Sequence, residues 1–170
     1  MTSKGAIVRN RTRKRATRHD GRRRMRDAGV ALVEFAIVMP LFFLLVFGII
    51  EFGYAYFQQV DVRHGAREGA RLAAVNYRET ATPTPADQTT QIVNEVCDRM
   101  DSGDDTSVRV TRSGTAAIGQ VLEVEVEKPL VQLTGFLGFA LNGITLRSTV
   151  DSRIEQVATW QSLATGQACP

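Results

Sequence analysis

Between Ala28 and Phe57 the chain reads AGVALVEFAIVMPLFFLLVFGIIEFGYAYF, and only Glu34 and Glu51 in it are charged. Residues 35–50 carry no charge at all. As a helix, residues 30–57 would reach about 40 Å, which exceeds the roughly 30 Å of hydrocarbon in a bilayer. Tyr54, Tyr56 and Phe57 then fall at the far end, where an aromatic interfacial belt belongs. Pro40 lies inside the run and removes one helical hydrogen bond, so a bend is expected there. A cleaved secretory signal fits poorly. Its apolar part is shorter and ends in small residues, whereas EFGYAYF is bulky.

Charge orients this segment. The first 29 residues hold 11 Lys and Arg against Asp20 and Asp27, and the rest of the chain is net acidic, so the overall +3 describes neither part. A basic flank stays on the cytoplasmic side, which predicts a cytoplasmic N-terminus and an extracytoplasmic C-terminal domain. An Arg-rich arm can also bind phosphates without reading sequence. This one has no interleaved aromatics on which bases could stack, so no nucleic-acid partner is expected. Its low hydrophobicity predicts disorder in isolation.

Beyond the apolar run the pattern turns amphipathic but stays helical to about residue 78. Gly65, Gly69 and Ala73 recur every fourth residue and share one face, where small side chains let another backbone approach. That surface is either the seat of the chain's own domain or a contact between subunits. Arg63, Arg67 and Arg71 form a second stripe, and Glu68 is placed to pair with Arg71. The Pro-x-Pro stretch of residues 79–87 breaks the helix. A shorter helix follows, with Asp87 as its expected N-cap and Ile92, Val93, Val96 and Met100 on one face.

From residue 107 the period becomes two. Residues 107–112 and 120–128 read as a hairpin, with Leu122, Val124 and Val126 on one face and Glu123, Glu125 and Glu127 on the other. Residues 129–143 are apolar, Gly-spaced and too short to span a bilayer, which suggests a loop with a helical turn, buried or touching the membrane face. Residues 144–154 read as a third strand. The tail from Glu155 carries little pattern.

Catalysis finds few candidates. His19 and His64 have no nucleophile that the sequence can place beside them. The stretch TGFLGFALNG lacks the Lys-Ser/Thr of a phosphate loop. DSGDD lacks the spaced oxygen ligands of a calcium loop and reads as a turn. Neither an enzymatic activity nor a cofactor or metal is expected. Cys97 and Cys169 both follow the apolar run and, in an oxidising space, could form one disulfide. Glu34 fits a plain anchor least well, because a carboxylate in a membrane helix is costly and tends to be functional. Near the interface it can also snorkel or favour the helix dipole.

The order basic leader, Gly29, Val30-Ala31-Leu32-Val33-Glu34-Phe35, apolar helix resembles a prepilin processing site of the Gly-x-x-x-x-Glu-Phe/Tyr type. With Pro40-Leu41 and the later AREGARLAA, it is similar to the TadE-like family, pseudopilins of the tight-adherence (Flp) type IVb pilus assembly system. The resemblance is close over residues 28–75. It implies cutting by a prepilin peptidase between Gly29 and Val30, within a motif that includes Glu34 and Phe35. It also implies a bacterial cell-membrane setting, and other pilin-like subunits and pilus assembly membrane proteins as partners besides the lipid bilayer. Glu34 would then be the fifth residue of the mature chain, able to neutralise the new α-amino group of a neighbour.

The expected fold class is α+β: a long N-terminal transmembrane helix continues into an amphipathic helix packed on a small antiparallel sheet. The expected organisation is a basic arm over 1–29, a span over 30–57, a juxtamembrane helix over 58–78 and an extracytoplasmic domain over 79–170. The competing expectation is an uncleaved single-pass protein with an extracytoplasmic binding domain.

Overall fold

The computed structural model describes residues 20–101, 103 and 105–170, with side chains described from residue 29 onward. Of the expected disordered arm of residues 1–29, residues 1–19, His19 among them, lie outside that set, while residues 20–29 are helical, against the expectation. Ser102 and Asp104 of the expected DSGDD turn also lie outside it. The chain separates into two compact units, Met1–Leu44 and Leu45–Pro170.

Helix α1 runs Asp20–Ala74 and continues through Pro40. It begins ahead of residue 30, where the spanning segment was expected to start; the Arg and Met residues in between are good helix formers. In the first unit its apolar side chains are exposed almost throughout.

The second unit holds the core. After α1 come α2 (Pro85–Asp98), β1 (Ser107–Arg112), β2 (Val121–Pro129), the single turn α3 (Gly138–Leu141), β3 (Thr145–Arg153) and the short β4 (Gln167–Ala168). The strands form one antiparallel sheet in the order β3-β2-β1-β4. Register pairs Val108 with Val126 and Val110 with Val124. These four and Leu122 are fully buried with Val62, Ala66, Ala70, Leu72 and Ala73 of α1 and Ile92, Val93 and Val96 of α2. The fold is α+β.

Helix ends decide how α1 meets the rest. Its last turn closes with Asn76 at φ 54°, a left-handed position that Asn tolerates better than most residues. The Tyr77 N–H donates to Leu72 O at 2.9 Å and the Asn76 N–H to Ala73 O at 3.2 Å, the paired bonds of a Schellman closure. The Trp160 indole N–H adds a bond to Ala73 O at 3.0 Å, and the Glu155 and Gln156 amides both donate to Ala74 O. The helix's final carbonyls are therefore satisfied by the C-terminal tail, which carried no readable pattern. Trp160 is fully buried, with the Arg112 guanidinium 5.0 Å from its ring centre. Asn76 Oδ1 also accepts from Gln88 and from the amide and hydroxyl of Thr159, forming a polar node under the helix end.

Helix α2 corrects one expectation. Its N-cap is Thr84, and Asp87 stands three residues later as the reciprocal partner of a capping box. The Asp87 amide donates to Thr84 Oγ1 and the Thr84 amide to Asp87 Oδ2. Pro85 explains the earlier start, since its fixed φ suits the first helical position and its missing N–H costs nothing there.

Candidate functional site

Three parts of the chain bear on what it could do. The first is the apolar helix itself. Within residues 29–74 the most apolar window has a mean hydropathy of 2.7, and none of that window is buried. Leu32, Phe35, Ile37, Val38 and Leu41 are all more than half exposed. An apolar surface this large on all sides of one helix would be strongly unfavourable in water at about 25 cal/mol per Å². Helix α1 is long and apolar enough to cross a membrane.

Gly29, Val30, Glu34 and Phe35 lie at the start of this surface, all exposed. A methyl group added at Gly29 would meet nothing within 4 Å. The four residues are thus presented together on an accessible stretch of helix.

The second surface is the small-residue face. At Gly65 a Cβ would collide with the Met100 thioether, and at Gly69 it would lie 3.0 Å from both Val124 and Val96. Ala73 is fully buried. All three small residues pack on the chain's own domain, Gly69 in the cleft between the sheet and α2. Of the two uses expected for this face, the structure shows the seat of the chain's own domain, and these positions are occupied. Arg63, Arg67 and Arg71 lie on the exposed side of the same helix. The Arg71 guanidinium pairs with Glu68, and Arg99 at the end of α2 pairs with Glu68 and Glu95. The hydrogen bond from Arg71, helped by the charges of Arg71, Arg99 and His64, holds the Glu68 carboxyl below its ordinary value against a smaller cost of burial.

The third is polar and unforeseen. Glu51, one of two acids in the apolar run, is only 2% exposed. Its carboxylate accepts the Leu133 amide at 3.0 Å, the Thr134 amide at 3.1 Å and the Thr134 hydroxyl at 2.7 Å. Two turns further on, Gln58 donates to Val131 O at 2.8 Å and accepts the Val131 amide at 3.0 Å. One turn before Glu51, the rings of Phe47 and Phe136 lie 5.1 Å apart. Only Glu51's charge hinted at this; its partners lie more than 80 residues away, beyond the reach of any local pattern.

Elsewhere, Cys97 and Cys169 are joined by a disulfide with Cα atoms 5.7 Å apart. On the outer face of the sheet Glu125, almost buried, is held between Arg109 and Arg147. Among the described residues no three His, Cys, Asp or Glu side chains gather into a group that could hold a metal ion.

An exposed apolar helix that runs on into a disulfide-bonded α+β domain defines a candidate single-pass, membrane-anchored protein. The same helix carries a similarity to a known family: residues 29–71 match the family model described as TadE-like protein. The match begins at Gly29 and ends within the small-residue face, before the sheet. Comparison with curated proteins and with solved structures finds no match.

Proposed function

We propose that this protein is a pseudopilin-type subunit, anchored by α1 with its N-terminus in the cytoplasm, that takes part in assembling a tight-adherence pilus. The carrying observation is a coincidence of position. The TadE-like match starts at the residue where the exposed Gly29-to-Phe35 motif starts. A prepilin peptidase would cut between Gly29 and Val30, freeing an α-amino group on Val30, four residues before Glu34. A peptide bond must leave the helix to enter a protease, and glycine, about 1 kcal/mol less helix-favouring than alanine, makes Gly29 a weak point in α1. Glu34 would find in the α-amino group of an adjacent subunit the partner that makes a membrane carboxylate tolerable. Lateral contacts would use the apolar faces of the exposed run, since the small-residue face is taken.

The test follows the protein into the fibre. Pili are sheared from cells expressing the wild type or Glu34→Ala, and both sheared and membrane fractions are probed. The reading expects wild type in the sheared fraction, or needed for fibre yield, with at least a several-fold loss for Glu34→Ala. Unchanged piliation with Glu34→Ala and with the gene deleted would favour an uncleaved, membrane-tethered binding domain.

A further inference from the structure

Residues 129–146 read PLVQLTGFLGFALNGITL and contain no charged side chain, although Lys128 and Arg147 bracket them. The segment is laid along α1 in a fixed direction. Val131 is bonded at Gln58, Leu133 and Thr134 at Glu51, and the Phe136 ring packs at a tilt against Phe47. With each step toward its tip, the segment moves toward the N-terminal side of the helix. The tip then turns through α3, where Phe139 is 86% exposed. Val131, Leu133 and Ile144 are also exposed, as are Phe52, Tyr56 and Phe57 on α1.

Depth follows from length. About 20 helical residues cover the roughly 30 Å of hydrocarbon. A span starting near Val30 therefore ends near Ile50, which leaves Glu51 at the boundary and Phe47 about 6 Å inside it. A segment bonded to Glu51 and packed against Phe47 shares their depth. Its backbone N–H groups at Leu133 and Thr134 are satisfied by the carboxylate, which lowers the cost of placing them at that depth. The large exposed side chains, Val131, Leu133, Phe136 and Phe139, are apolar, and the exposed Thr134 spends its hydroxyl on Glu51.

We infer that residues 131–141 form a membrane-dipping loop: Phe136 and Phe139 enter the outer part of the bilayer beside α1, and the Glu51 clasp fixes their depth. The occupant of this apolar surface is lipid, because the loop packs on Phe47 of α1 in a unit where Phe52, Tyr56 and Phe57 of the same helix are exposed and apolar or aromatic. The loop would seat the domain against the bilayer and give it a fixed orientation there. This rests on the anchoring part of the proposed function and not on cleavage or fibre entry.

The test uses the full chain in phosphatidylcholine vesicles, with the native disulfide kept oxidised. An environment-sensitive fluorophore is attached at Phe139→Cys, at Leu41→Cys as a span control and at Ser113→Cys as an aqueous control. Quenching is read with nitroxide on the lipid acyl chains and with iodide in the buffer. The inference expects the labels at 139 and 41 to be blue-shifted and several-fold more quenched by lipid nitroxide than the label at 113. Nitroxide quenching at 41 but not at 139, with iodide reaching 139, would overturn the loop and leave the anchor standing. A label at 139 shielded from both quenchers would overturn lipid as the occupant in favour of a second protein surface. No nitroxide quenching at either 41 or 139 would overturn the anchor and the loop together. Thr134→Val, which removes one clasp hydrogen bond at an exposed position, should make the 139 label shallower without moving the 41 label.

Discussion

Gly69 illustrates how a single missing methyl group can organise the fold. A Cβ there would press on Val124 from the sheet and on Val96 from α2, both at 3.0 Å. Alanine would gain up to about 1 kcal/mol of helix propensity, but overpacking a full core costs roughly 1–3 kcal/mol. Gly69→Ala should therefore lower thermal stability modestly and Gly69→Val severely. Gly65→Ala should be close to neutral, because only the flexible Met100 thioether must move. Equal losses at both positions in a thermal melt would contradict this. Glu68 gives the pH-dependent counterpart. Its folded carboxyl titrates below the ordinary 4.5, chiefly through its bond to Arg71. The stability it contributes is present above the unfolded value and is lost as pH falls through the lower, folded one. Glu68→Gln should accordingly cost up to about 1 kcal/mol near neutrality, and its difference from wild type should vanish in acid. A difference that persists at low pH would assign the effect to packing instead.

The elements themselves were largely legible because their periods are local. The strands and α2 could be read from alternation and from the spacing of Ile92, Val93 and Val96, since those side chains bury on one face. The start of α2 was misplaced because two acceptors, Thr84 and Asp87, both suit a cap, and the fixed φ of Pro85 decides between them. The tail was not legible. Trp160 is held by a carbonyl 87 residues away, and β4 is two residues long. Glu51 was visible as a charge, but its partners were not, because a clasp between distant segments leaves no periodic trace. The disulfide ties this otherwise weakly patterned tail to α2. Closing a loop with a separation of 72 residues restricts the unfolded chain by roughly 4 kcal/mol on the chain-entropy account. Replacing both cysteines with alanine should lower the melting temperature markedly, with the largest gain in amide exchange around β4 and Trp160. Replacing Trp160 with phenylalanine should cost about 1 kcal/mol for the lost hydrogen bond, with a further loss from the smaller ring, while the Asn76 N–H still serves the Ala73 carbonyl.

In the molecule as a whole, the sequence's division of labour reappears. An apolar helix is exposed where a bilayer would cover it, and its continuation is buried in an α+β domain. The TadE-like match, residues 29–71, lies within this helix and ends before the sheet. If the helix is a processed pseudopilin anchor, membranes of the host should contain a chain that lacks its Arg-rich leader. The most direct test is the N-terminal sequence and intact mass of the protein extracted from those membranes. A chain beginning at Val30, with Gly29→Leu blocking its appearance, is the predicted result. A chain that still carries residues 1–29 would contradict processing and leave α1 as an uncleaved anchor.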